Sequence, residues 1–145
     1  MTEQKRHIRV LALAVLRRAD GKILVERGED TKKGEIFYRP LGGGVEFGEK
    51  GEDALKREFR EELGKEITVK GFMQAVENIF VWEGRPGHEV ILFFDCAFAD
   101  AADEKAEHHP HLEDEKAGQT YWRAVEDIKA EGAVLHPFQL AGMLG

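Results

Sequence analysis

Cysteine is nearly absent from this chain. Its 145 residues contain one, Cys96, so no internal disulfide can form. Cys96 lies in the apolar run Val90 to Ala99, where a small buried hydrophobe is expected rather than a nucleophile. No apolar run approaches the ~20 residues that span a bilayer. The polar segment Met1 to Arg9 has no apolar core of the secretory kind. A soluble cytoplasmic protein is therefore expected. Positive charge is also in deficit: 21 Lys and Arg against 28 Asp and Glu leave a net charge of −7. That balance argues against broad binding of nucleic acid duplexes or anionic membranes. It leaves small anionic ligands open, because a bound metal reverses the local sign. No internal repeat, linker or composition break divides the chain, and its length suits one domain, residues 1–145, with a core of its own.

Two common phosphate loops are missing as well. A P-loop needs Lys-Ser or Lys-Thr after its last glycine, and here Gly48 is followed by Glu49. The dinucleotide fingerprint needs glycines at i, i+2 and i+5. Starting from Gly42 the third position is Phe47, and starting from Gly43 the second is Val45.

What is present is a glycine loop, Gly42 to Gly48, followed by an acidic helix. The helix is expected from near Lys50 to Leu63, with Gly64 at the C′ position where a left-handed conformation closes it. Glu52 and Asp53 fall in the first turn, where the helix dipole favours negative charge. Leu55, Phe59 and Leu63 recur every four residues as the apolar stripe. Glu58, Glu61 and Glu62, at i, i+3 and i+4, project together beside it. Like charges at these spacings repel by about 0.2–0.5 kcal/mol per pair. A hard divalent cation turns that repulsion into coordination, since Mg²⁺ takes carboxylate oxygens and keeps several waters. The plainer alternative is a solvated face with i, i+4 pairs of Arg57 with Glu61 and Glu61 with Lys65.

The flanking loop separates these readings. Gly43 is followed after five residues by Glu49, and after seven more by Arg57-Glu58-Phe59, with Glu61-Glu62 and Gly64 closing the pattern. This resembles the Nudix box of the Nudix hydrolase superfamily. Its last position, aliphatic in the family, is Lys65 here, with Ile67 two places on. The direct match covers about one sixth of the chain.

Along the chain, His7 to Arg17 reads as a strand buried on both faces. Asp20-Gly21 is a hairpin turn, and Ile23 to Glu26 is the return strand. Arg27 to Glu35 reads as loop, and Ile36 to Arg39 as a short strand ended by Pro40. After the acidic helix come a long strand, Ile67 to Trp82, with a bend or bulge at Gly71, a turn at 83–87, and the strand His88 to Ala99. Asp100 to Gly118 shows no convincing element. A strand at Thr120 to Val125, a short helix from Val125 and a helix ending near Leu144 complete the reading. Strands interleaved with a central and a terminal helix indicate an α/β fold, a sandwich around a mixed β-sheet. The resemblance specifies this as a Nudix-like α/β/α sandwich.

The resemblance also implies chemistry: hydrolysis of a nucleoside diphosphate linked to another moiety, with Mg²⁺, or Mn²⁺ in its place, on the acidic helix. Glu58, Glu61 and Glu62 match the family's metal carboxylates, and Glu58 or Glu61 the general base. The Gly42 carbonyl matches a further metal position. Arg57 and Glu49 match a supporting pair that holds loop to helix. Glu46 is a candidate for an additional metal. A further carboxylate is sought among Asp103, Glu104, Glu107, Glu113, Asp114 and Glu115. His108, His109 and His111 are a weak metal cluster lacking suitable spacing, and His88 is a candidate base or phosphate donor. Phe37, Tyr38, Phe80, Trp82 and Tyr121 are candidates to stack on a base, worth about 1–3 kcal/mol where it occurs. Arg27 and Arg39 are candidates to meet phosphates. Leu41 stands where many family members have another glycine. Homodimers are common among proteins of this kind. A competing reading is a Nudix-like module that senses a nucleotide without hydrolysing it. Such a module is expected to have lost metal carboxylates, and all three are present here.

Overall fold

The computed structural model describes residues 6–110, 112 and 119–144. Among them, eight strands and four helices follow in the order β1 (Arg9–Leu16), β2 (Ile23–Asp30), β3 (Glu35–Gly44), α1 (Gly51–Leu63), β4 (Ile67–Trp82), β5 (Arg85–Phe98), α2 (Ala101–Lys105), β6 (His108–Pro110), β7 (Gln119–Arg123), α3 (Val125–Ala130), β8 (Val134–Leu135) and α4 (Leu140–Met143). The strands lie side by side as β4-β5-β1-β3-β2-β7-β6, with β8 against β3. β1 runs parallel to β5 and antiparallel to β3, so the sheet is mixed.

β1 is an interior strand, between β5 and β3, and its residues are apolar on both faces. Ala12, Ala14 and Leu16 pack with Leu55, Phe59 and Leu63 of α1. Leu11, Leu13 and Val15 enter a second cluster with Ile128 of α3 and Leu140 of α4. A period of two with both phases buried puts a helix layer on each face, as the sequence leads one to expect. Cys96 is 2% exposed in the first cluster, and burial pushes its thiol up to about 12. It is an inert core residue.

Three boundaries differ from the sequence reading. β2 continues through Arg27 to Asp30, pairing with β3 from Val25↔Pro40 to Asp30↔Glu35. β3 does not stop at Pro40 but runs on to Gly44, so Gly42 and Gly43 are strand residues facing Leu13 and Ala12 of β1. Pro40 falls where β3 changes partner from β2 to β1, a point at which a missing N–H donor is tolerated. The segment after Asp100, featureless in sequence, holds α2 and β6, with the Asp100 carboxylate capping α2 by accepting from Ala102 N–H at 2.9 Å. Smaller shifts start β5 at Arg85 rather than His88. The bulges in β4 lie around Gly71, as expected. No helix among the described residues is long and apolar enough to cross a membrane.

Candidate functional site

α1 ends as its glycine dictates. Gly64 has φ 65°, its N–H reaches the Arg60 carbonyl at 3.0 Å, and Lys65 N–H reaches that of Phe59 at 3.3 Å. The Lys65 ammonium pairs with Asp103 of α2 at 3.0 Å, so charge ties down the helix exit alongside the aliphatic contacts of Leu112 and Ile67.

Arg57 organises the loop before the helix. Its Nε and Nη2 donate to the two carboxylate oxygens of Glu49 at 2.8 and 3.0 Å, and Nη2 also donates to the Gly44 carbonyl at 3.1 Å. Nη1 donates to Glu58 at 2.9 Å and to Glu61 at 3.3 Å. Glu49 accepts the Glu46 N–H as well, at 3.2 Å, which closes the loop on itself. The guanidinium holds the Glu49 carboxyl below its usual range, and the hydrogen bond to Glu49 in turn raises Arg57. Glu46 is the outlying member, 3.8 Å from Arg57 and largely exposed.

The three helix carboxylates are not equivalent. Glu61 is exposed and turned to Arg57. Glu58 is partly buried and packed on Gly43, where a Cβ would fall 2.5 Å from its carboxylate carbon. Glu62 is also half-buried. Burial, then the charge of Glu26, then a hydrogen bond with Glu58 raise it to about 8, against the opposing pull of Arg39. Among the described residues, no three acidic, His or Cys side chains converge as a finished metal cage. The donor set is still the right one for a hard divalent cation: carboxylates with more negative charge than their neighbours compensate. Glu58 and Glu62 are the pair brought together.

Beside this face lies a cavity of about 370 Å³. One wall is the β2–β3 hairpin, made chiefly by alternate residues Glu26, Gly28 and Asp30 of β2 and Glu35, Phe37 and Arg39 of β3, with Arg27 at its margin. The other comes from β4 and β5 through Asn78, Phe80, Trp82 and Glu89. Arg39 Nε stands 3.6 Å from Glu26, and both act electrostatically on Glu62, so this pair connects cavity and helix.

The other sequence candidates are placed as follows. Arg27, Phe37, Phe80 and Trp82 line the cavity with Arg39. Tyr38 is core, edge-on to Tyr121, with the Arg123 guanidinium over both rings. Leu41 is core at 1% exposure. His88 lies in β5 opposite Ile79, outside the cavity. His109 is buried against Phe98, its ring held by the Asp103 carbonyl at 2.8 Å, and burial lowers its pKa. His108 packs edge-on to Tyr121. Asp103 is spent on Lys65, Glu107 pairs with Arg18 at 3.4 Å, and Glu104 sits half-buried on α2. His111, Glu113, Asp114 and Glu115 lie outside the described residues.

The NUDIX domain model matches residues 5–140. The chain belongs to the NUDIX family. Among solved NUDIX folds, it is similar to the MutT protein of Methanosarcina mazei Go1, with a TM-score of 0.66 at 16% identity over 98% of this chain and 94% of the other. It is also similar to a NUDIX hydrolase from Nitrosomonas europaea, with a TM-score of 0.64 at 18% identity over 95% and 86%. Identities this low speak to the fold. In sequence, it is 42% identical to the nucleoside triphosphatase NudI of Escherichia coli over 66 residues, 41% of this chain and 47% of that relative. The chain thus spans about half the length of the curated relatives it matches.

Within this NUDIX domain, sequence reasoning missed Arg9, Glu26, Asn78 and Glu89, all on the cavity wall. Glu26, Gly28 and Asp30 carry no usable signal, since the whole stretch Glu26 to Asp30 is polar apart from Gly28. Glu89 carries one, a carboxylate leading into the run from Val90.

Proposed function

We propose that this domain is a divalent-metal-dependent hydrolase of a nucleoside diphosphate linked to another moiety, with a nucleotide as the favoured substrate class. The observation that carries the reading is the Arg39–Glu26 pair, which belongs to the cavity wall and also acts on Glu62. Because α1 packs on β3 through Leu41, Leu55 and Phe59, and β3 lines the cavity, a ligand seated there would have its phosphates beside the acidic helix face.

Glu58 and Glu62, with Glu61 and the Gly42 carbonyl, are the groups to hold Mg²⁺ or Mn²⁺. When bound, such an ion neutralises charge on the phosphate oxygens and acidifies a water for attack on phosphorus. The remaining work is positional. Arg57 and Glu49 fix the loop against the helix and so fix where the Glu58 carboxylate stands. Glu61, exposed beside Arg57, and Glu58 are the carboxylates available to take the proton from water. Arg39 and Arg27 offer guanidinium donors to the phosphates.

The test is phosphate and pyrophosphate release across nucleotides, sugar nucleotides and dinucleotides, with Mg²⁺, Mn²⁺ or chelator. The expected result is metal-dependent turnover of one class, lost by about 100-fold or more in Glu62→Gln with the melting temperature kept. Metal-dependent binding without turnover anywhere in the panel would replace the hydrolase with a nucleotide-sensing module.

A further inference from the structure

The cavity contains a polar group that the proposed hydrolysis does not use. Glu89 is 4% exposed and lines the cavity. Its hydrogen bond from Asn78 Nδ2, directly across the β4–β5 ladder, is long at 3.5 Å. Arg9, its neighbour on β1, also lines the cavity, with its guanidinium against Gly44, and among the described residues Asn78 is the one hydrogen-bond donor to Glu89. A carboxylate only accepts hydrogen bonds, and withdrawing one from water is costly unless donors meet it. One held this lightly in a cavity wall is suited to receive N–H groups of a ligand.

The shape of the cavity says what kind of ligand. Phe37 stands opposite Gly28 in the β2–β3 ladder, and a Cβ there would fall 2.3 Å from its ring. Phe80 stands opposite Gly87 in the β4–β5 ladder, and a Cβ there would fall 2.2 Å from its ring. Each hairpin thus places a glycine where an aromatic ring can lie flat across the neighbouring strand. Trp82 is pinned beside them, its Nε1–H donating to the Glu29 carbonyl at 3.0 Å. Flat aromatic surfaces with a buried acceptor between the hairpins fit a planar heterocycle that carries N–H donors.

We propose that this cavity reads a nucleobase through Glu89, steadied by Asn78, and selects a base presenting two adjacent N–H donors, as guanine does. Uracil and thymine are disfavoured because their single N–H is flanked by carbonyl oxygens, which face the carboxylate with like partial charge. Cytosine and adenine fall between, each offering an amino group beside an acceptor nitrogen. The proposal rests on the nucleotide-hydrolase reading and specifies the substrate of that same site.

The experiment compares kcat/KM for GTP, ITP, CTP and UTP with Mg²⁺ in the wild type and Glu89→Gln, alongside calorimetric binding of GMP and UMP. The expected preference for guanine over uracil is on the order of 10- to 100-fold, the worth of one good bidentate pair. ITP, which lacks the amino group, should fall between. Glu89→Gln exchanges one acceptor for a donor and should erase the preference or turn it towards uracil. If Glu89→Gln lowers the melting temperature severely, Asn78→Ala serves instead and should shrink the preference. Equal turnover of GTP and UTP by the wild type would overturn the base reading and leave the hydrolase standing. If no nucleotide is turned over, the hydrolase reading fails alone. GMP binding tighter than UMP, lost in Glu89→Gln, would then still support the base reading, and equal binding of the two would overturn it.

Discussion

Two adjacent glycines, Gly42 and Gly43, should respond to alanine in opposite ways. At Gly43 the added Cβ meets a side chain, lying 2.5 Å from the Glu58 carboxylate carbon and 2.7 and 2.9 Å from its oxygens. Carbon atoms settle at about 3.5 Å, so the carboxylate must retreat by roughly 1 Å. A side-chain end can do so cheaply, and alanine in place of glycine at a compatible backbone position contributes about 0.4–1 kcal/mol through the unfolded state. The melting temperature should therefore change little. Function should not be spared: a 1 Å misplacement costs on the order of 100-fold in rate, and Mg²⁺ affinity should fall with it. At Gly42 the Cβ meets backbone instead, 2.0 Å from the Ala12 carbonyl oxygen and 2.9 Å from the Leu13 Cα, at a φ of 156° that side chains rarely adopt. The β1–β3 ladder cannot yield there without breaking, so Gly42→Ala should lose about 3 kcal/mol or more. Thermal melts and Mg²⁺ titration of both variants make the comparison. A Gly43→Ala protein with wild-type metal affinity and turnover would refute the placement of Glu58 at the reacting centre, and an undiminished melt for Gly42→Ala would refute the close approach of the two strands.

Arg57→Ala should lower stability and turnover together. The bond from its guanidinium to the Gly44 carbonyl is worth about 1–2 kcal/mol, or a few degrees of melting temperature for a chain of this size. Activity lost at constant melting temperature would show that Arg57 acts on substrate rather than on the loop. For Glu62, the folded-state value near 8 lies above the ordinary 4.5, chiefly through burial and the charge of Glu26. The folded chain then holds a proton that the unfolded chain releases, so its stabilising contribution is complete below about pH 4.5 and fades as pH rises towards 8. Without metal, the melting temperature of the wild type should fall across that window relative to Glu62→Gln. Mg²⁺ should restore it, because binding needs the ionised carboxylate. Parallel pH profiles for the two proteins, in chelator, would remove Glu62 as the titrating group.

The parts of the fold built from core were legible in the sequence, and the parts built from the cavity were not. α1 was readable because its apolar stripe, acidic first turn and Gly64 stop all agree. β1 was readable because both of its faces are apolar. β2 beyond Glu26 was not, and the reason is physical: Glu26, Gly28 and Asp30 face the cavity rather than the core, so the strand lacks the apolar alternation that betrays a half-buried strand. Pro40 misled for a related reason, since a partner change inside one strand leaves no mark in local composition. α2 is too short for periodicity, and only the Asp100 cap announces it. At the site, the acidic helix follows from local spacing, and the role of Arg57 from the resemblance that the flanking loop carries. The link to a cavity does not, because it joins Glu26 and Arg39 to Glu62 through pairing between strands distant in sequence.

The cavity owes its shape to a junction of hairpin tips rather than to a hydrophobic plug. Asp30, 2% exposed, accepts the N–H groups of Lys32 and Lys33 from its own turn and that of Glu83 from the opposite one, each at 3.1 Å. Glu83 returns the contact through its carboxylate, which accepts from the Thr31 backbone N–H and from its hydroxyl at 2.6 Å. Lys33 donates to the Val81 carbonyl at 2.6 Å. Glu83 sits at φ 51°, a conformation a non-glycine residue keeps only when its surroundings over-determine it, and here both its N–H and its carboxylate are committed across the junction. The two walls that carry Phe37 and Phe80 are therefore tied at one end by bonds that need no ligand. At the acidic end, by contrast, Glu58 and Glu62 stand beside the carboxylates of Glu26, Glu49 and Glu61, with Arg57 and Arg39 among the described cations facing them. A ligand carrying a cation and phosphates would therefore act on the end with the excess of carboxylates, while the hairpin end is already held together without it.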